Sequence, residues 1–294
     1  MFKMNLQLFA HAQQERWSSL VDAKLRQTLV TRDNYIFNTD YEGSPTAGKV
    51  KIPVRDTEVT VKDYDKATGV DLETGTTTYM DLDIDRDKAV NELIDGYDAA
   101  SVPDNLVADR LDSAGYSMAL AMDQDSIDCL ETTTGTNVAT TKTAATESTA
   151  YKEVLAAKTY LGRKGVPQAG RWLIASPEFM ATLMMDDHFI RQGDLSQEMK
   201  NAGAVGSVAG FAIFESNNLA FEKITTSKKT TTEFIAGHPN WCHRVQEWAV
   251  DVHAQDLAGS GKYIGASAVQ GRKVYGLKIS KPQTVYIKRT EATA

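Results

Sequence analysis

The amino-acid sequence predicts an α+β fold in which a compact α/β block carries long appendages. Three observations point there. Apolar residues recur at steps of three and four near the N-terminus, then alternate with charged residues between 43 and 88. A long stretch from 101 to 131 returns to helical spacing. Beyond residue 150, short apolar strands and capped helices follow one another closely.

The 294 residues suffice for a sizeable core, and 42% hydrophobic with 24% charged residues is an ordinary globular balance. No run of about 18 apolar residues occurs, so no membrane span is expected. The opening MFKMNLQLFAHAQQERW has a short apolar run broken by Asn5 and Gln7, with no small-residue cleavage site before His11. It reads as an arm and not as a signal peptide. Cys129 and Cys242 lie far apart and are expected to be free thiols. A net charge of −7 argues against a dedicated nucleic-acid binder, which concentrates positive charge. It leaves room for a wall that faces nucleic acid and repels phosphates mildly.

Trp17, Leu20, Val21, Leu25 and Leu29 predict an amphipathic helix over 11–30 whose stripe must dock on something. Val50, Ile52 and Val54 then alternate with Lys49, Lys51 and Arg55, while Met80, Leu82 and Ile84 alternate with Asp81, Asp83 and Asp85. This is the pattern of a long two-stranded hairpin, basic going up and acidic coming down, so cross-strand attraction supports it. A lone ribbon is marginal in water, which suggests that it lies on a neighbour. Ser101, Pro103 and Asp104 resemble a helix start, and Val107, Leu111, Ala114, Met118 and Met122 continue it toward Glu131. Residues 132–149 hold nine threonines and are expected to be a loop. A helix is expected over 152–161, a strand over 171–175, and a helix capped by Ser176-Pro177-Glu178. A glycine turn and strand follow at 206–216, a polar excursion at 225–232, a strand at 234–236, and a helix at Trp241–Trp248. Residues 272–289 read as a closing strand pair.

Candidate chemistry is sparse. Asp81, Asp83, Asp85 and Glu92 occupy calcium-loop positions, but Arg86 stands where the sharp turn needs glycine, so a charged strand face is the better reading. AGSGKYIG at 258–265 fails as a phosphate loop: Asp256 replaces the first glycine, and Tyr263 follows Lys262. His238, Cys242, His243 and His253 match no zinc spacing and read as incidental residues of an aromatic-rich packed helix. No G-x-S-x-G turn or defensible acid–base pair occurs. No catalytic residue, cofactor or metal is therefore expected.

The order of parts carries more than any motif. MNLQLFA at Met4–Ala10, RWLIASPEFMATLM at 171–184, GSVAGFAIFESNNL at 206–219 and AGHPNW at 236–241 resemble segments of tailed-bacteriophage major capsid proteins, the Johnson or Hong Kong 97-like fold. The resemblance extends over nearly the whole chain. It implies an N-terminal arm (1–42), an extended β-hairpin loop (43–88), a peripheral domain with a long spine helix (89–131 and 268–294) and an axial α/β domain (132–267). The implied function is self-assembly, as pentamers and hexamers, into the icosahedral head that encloses double-stranded DNA. The implied setting is the virion, after synthesis in the bacterial cytoplasm. The implied partners are other copies, a separate scaffolding protein, the portal, and DNA contacted non-specifically. Trp17, Leu20, Val21, Leu25, Lys49, Lys51, Arg55, Asp81, Asp83 and Asp85 are the expected inter-subunit contacts. The alternatives are an encapsulin-like shell, against which the extended arm argues, and a soluble α/β enzyme or binding protein with a cryptic site.

Overall fold

A computed structural model describes residues 24–44, 48–54, 58–75, 77–101, 105–186, 204–219, 223–225, 228–259 and 261–293. Lys49–Val54 (β1) and Thr78–Asp83 (β2) form the hairpin, in the register Lys49 opposite Asp83 and Lys51 opposite Asp81. The acidic strand ends there. Arg86–Ile94 (β3) leaves the hairpin and joins a second sheet, so the ribbon is shorter than the 43–88 alternation suggests.

A short helix, Gly96–Ser101 (α1), precedes the spine helix Leu106–Thr132 (α2), about 40 Å long for its 27 residues. Asn105 caps α2, its side chain accepting from the Ala108 N–H, whereas Ser101 closes α1. Asparagine is as good a cap as serine, and here it stands closer to the helical run. Asn137–Val138 (β4) lies in the threonine-rich connection, followed by Ala150–Arg163 (α3), Trp172–Ala175 (β5) and Pro177–Met185 (α4). Ser176 caps α4 as expected, accepting from Phe179 N–H at 3.2 Å. Ala204–Val208 (β6) and Phe211–Glu215 (β7) pair around a turn at Ala209-Gly210, both with positive φ.

The polar excursion at 225–232 contributes strand on both sides of residues 226–227: Lys223–Thr225 (β8) pairs with the start of Lys228–Gly237 (β9). Cys242–Asp256 (β10) replaces the helix expected at 241–248. Cys242, Val245 and Trp248 are spaced three apart and imitate a helical stripe, but Cys242–Val245 is buried on both faces, which removes the polar alternation of a strand. Ser267–Ile279 (β11) and Tyr286–Thr293 (β12) do not pair with each other. The turn at Pro282–Thr284 sends them to different sheets.

The larger sheet has seven strands, ordered β4-β12-β9-β5-β7-β6 with β8 beside β9. One of its cores gathers Leu161, Leu173, Phe179, Phe211 and Phe234 beneath α3 and α4. Another joins Trp172, Ile235 and Ile287 to Ile127 and Leu130 of α2, so the long helix ties the two halves together. The three-stranded sheet, β10-β11-β3, packs one face on α2.

Candidate assembly surfaces

The hairpin has two unlike halves. At its base Ile52 and Leu82 pack on Val245 of β10, flanked by Tyr41, Met80 and Ile84. The ribbon is therefore anchored on its own chain before it projects. The charged side chains line the opposite face: Lys49, Lys51, Asp81 and Asp83 are exposed, and Lys49 pairs with Asp83 at 2.9 Å. Asp85 is exposed just past the strand, and Arg55 lies outside the described residues. Their hydrogen bond holds the Asp83 carboxyl below, and the Lys49 ammonium above, its ordinary pKa.

Farther out, the chain turns at Asp65–Gly69, where Asp65 accepts from Ala67 N–H at 2.8 Å and Gly69 takes positive φ. Lys62 and Glu73 pair across the ribbon at 2.8 Å. Between these ionic contacts, Val59, Val61, Tyr64, Val70 and Leu72 all point into solvent. Sequence reading missed these residues because threonines, aspartates and lysines interrupt them. An apolar group exposed on a projecting ribbon marks an interaction site.

The arm departs from expectation. Trp17, Leu20 and Val21 lie outside the described residues, and residues 24–30 are extended instead of helical. They run alongside α2. Lys24 pairs with Asp109 at 2.7 Å, Arg26 with Asp112, and Gln27 N–H donates to Tyr116 Oη. Val30 and Thr31 N–H both donate to Asp123. The register is physically consistent: seven extended residues at about 3.3 Å cover the same length as fourteen helical ones at about 1.5 Å. Polar partners on α2 win over helix formation here, and Leu25 is left fully exposed.

The arm's inner end is locked by buried charge. Asp123 also accepts from Thr31 Oγ1 and Asn218 Nδ2. Arg244 binds Asp33, the Thr31 carbonyl and Ser126. His243, 3% exposed, spans Asn38 Oδ1 and Ser280 Oγ and meets the Tyr41 ring edge-on, and burial pulls its pKa down to about 4. In the seven-stranded sheet Lys288 is fully buried, donating to Thr141 O at 2.9 Å and Glu153 at 3.1 Å. None of these residues carries a distinctive sequence signal.

His238 bonds the Ala169 carbonyl and accepts from Asn240 N–H, and His253 is exposed. Among the described residues no group of three or more His, Cys, Asp or Glu side chains is placed to hold a metal ion. Cys129 and Cys242 are buried free thiols, with burial raising both pKa values. No helix among the described residues is long and apolar enough to cross a membrane.

Solved structures with this arrangement include phage capsids. The chain superposes on one from Mycobacterium phage Che8 with a TM-score of 0.71 and 24% identity, covering 95% of this chain and 98% of that one. The capsid of Cyanophage P-SCSP1u gives 0.74 at 15% identity, over 96% and 94%. The capsid of a native GTA particle gives 0.65 at 13%, over 99% and 100%. These likenesses establish the Hong Kong 97-like fold. No curated protein matches the sequence significantly. A family model described as phage capsid protein matches residues 92–287, well over half of the chain, and the chain therefore belongs to the phage capsid protein family.

Proposed function

We propose that this chain is the major coat subunit of a tailed phage, closing with many copies of itself into an icosahedral head around double-stranded DNA. The carrying observation is the hairpin: anchored at Val245 on its own sheet, it holds five apolar side chains out in solvent. A projection of this kind has a role only when another surface covers it. Repeated, self-complementary contacts of this sort close shells, and obligate interfaces commonly bury about 2,000 Å² or more.

On this reading residues 1–42 are the arm and 43–88 the extended loop. The spine helix with the three-stranded sheet forms the peripheral domain, and the seven-stranded sheet with α3 and α4 the axial domain. β10 shares the three-stranded sheet and β12 the seven-stranded one, which supports putting β10 on the peripheral side and β12 on the axial side in place of a single cut at residue 268. The exposed charges of Lys49, Lys51, Asp81, Asp83 and Asp85 serve contacts between subunits. A separate scaffolding protein and a portal complete the head, and the acidic chain touches DNA weakly and without sequence preference.

The test is particle formation. The chain expressed with its genomic neighbours and imaged in negative stain should give closed shells of uniform size. Monomers or small soluble oligomers under the same conditions would overturn the reading. Shells filled with protein and not DNA in infected cells would favour an encapsulin-like compartment.

A further inference from the structure

The seven-stranded sheet holds a lysine against a carboxylate inside its core. Lys288 of β12 is fully buried where α3 meets the sheet. Its Nζ donates to Glu153 Oε1 at 3.1 Å and to the Thr141 carbonyl at 2.9 Å. Glu153 comes from the first turn of α3, and its side chain is 15% exposed. A second carboxyl stands beside this pair. Glu233 sits at the irregularity of the β9–β12 ladder, where Phe234 faces Lys288 and Thr232 faces Arg289. A bulge of this kind re-aims a side chain. Glu233 Oε1 accepts from Ala145 N–H at 2.8 Å, and Oε2 is buried without a partner.

One lysine thus faces two carboxyls. Burial pushes the Glu233 carboxyl above its ordinary pKa and Glu153 reinforces this, while the Ala145 N–H and Lys288 oppose it. Tyr286, buried alongside, is held as a neutral phenol by burial and by Glu153. Lys142 and Glu291, farther along β12, neutralise each other at 2.6 Å. A buried ion pair gives back much of its attraction in lost hydration, and condensing it to an amide removes both charges at once. Amine and carboxyl held in contact reach effective concentrations of about 10⁵–10⁸ M. Exclusion of water from the site slows the reverse hydrolysis.

We infer that Lys288 and Glu153 join in an isopeptide bond within the chain, with Glu233 relaying the proton. Lys288 Nζ first passes a proton to the Glu153 carboxylate, which leaves a neutral amine beside a neutral acid. The amine attacks Glu153 Cδ. Glu233 then gives its proton to the departing hydroxyl and recovers one from the attacking nitrogen. An N–C bond forms, the Cδ–OH bond breaks and one water leaves, so no oxidant, reductant or cofactor takes part. The bond ties α3 to the last strand of the same subunit. It goes beyond shell building and does not depend on it.

The test follows the mass of the full chain, freshly translated and held at neutral pH. Wild type should lose the mass of one water, and its tryptic digest should contain a branched peptide joining Glu153 to Lys288. Lys288→Arg keeps the positive charge but offers no nucleophilic amine, so it should retain its full mass. Glu233→Gln keeps the shape without an acid proton and should condense at least about tenfold more slowly. Circular dichroism identifies any variant that fails to fold, and the wild-type mass tests the idea on the unaltered protein. Full mass in wild type, a water loss that maps elsewhere, or condensation of folded Glu233→Gln at the wild-type rate would each overturn the proposal.

Discussion

Gly276 of β11 lies under Leu82 of the hairpin so closely that a Cβ at 276 would stand 2.7 Å from Leu82 Cδ2 and collide with the Asp83 carbonyl. The absent side chain lets the ribbon seat on its own sheet. Gly276→Ala should therefore lift the hairpin base and cost about 1–3 kcal/mol through overpacking. Thermal melting reads the loss, and faster proteolysis within 58–75 reads the loosened ribbon. Gly75→Ala, with open space around it, is the control and should change neither.

The arm's two ends should behave differently. Lys24–Asp109 and Arg26–Asp112 are partly exposed surface pairs, which water and salt screen, so neither holds the arm strongly. Val30, fully buried, belongs to the core. Deleting residues 1–29 should then leave a folded chain that assembles poorly. Asp123→Ala should be far worse for folding, about 3 kcal/mol, because it strands two buried backbone N–H groups, Thr31 Oγ1 and the Asn218 amide. Denaturant melts of both proteins decide this, and sedimentation of the truncated chain separates folding from assembly. Normal particles from the truncation would remove the arm from the assembly scheme.

Period-two alternation made β1 and β2 legible, and Ser176-Pro177 announced α4, because each signal is local. Partnership is not local. Nothing in VYIKRT tells that β12 pairs with β9 while β11, a few residues earlier, pairs with β10 and β3. Buried charge is equally silent. Asp123 sits in a run of helix where aspartate usually means a solvent face, and Lys288 alternates as an outward strand residue would. Their burial follows from partners over 90 residues away, Thr31 and Glu153 among them. Residues 24–30 misled for a related reason: they continue a stripe of helical spacing, yet α2 offers carboxylates at a spacing that suits an extended chain.

Acid should release the arm's inner end through His243. In the folded chain burial holds its pKa at about 4, against an ordinary value near 6.5, with Asp40 opposing only in part. A depressed pKa means that the unfolded state binds the proton first as pH falls. The stability contribution is thus complete above about pH 6.5 and is lost as pH drops toward 4, by up to about 3 kcal/mol. His243→Gln removes the titration, so its melting temperature should fall less steeply than wild type across that window. Parallel curves for the two proteins would show that His243 does not govern acid stability.

Reversing the charge of the descending strand tests the hairpin's outward face. Lys49 and Asp83 are more than half exposed, so solvent screens their pairing and it contributes little to the monomer. The anchor beneath them is apolar and faces the other way, through Ile52, Leu82 and Val245. Changing Asp81, Asp83 and Asp85 together to Lys should therefore leave circular dichroism and melting of the unassembled chain nearly unchanged. In a closed shell the same change recurs at every copy, so a modest loss per contact accumulates into failed closure. Particle yield should collapse at low salt and recover in part at high salt, where screening weakens the new repulsion. Sedimentation at two ionic strengths measures both effects. Normal particles at low salt would assign the hairpin's charge to solubility alone, and an unfolded monomer would place its role inside the subunit instead of between subunits.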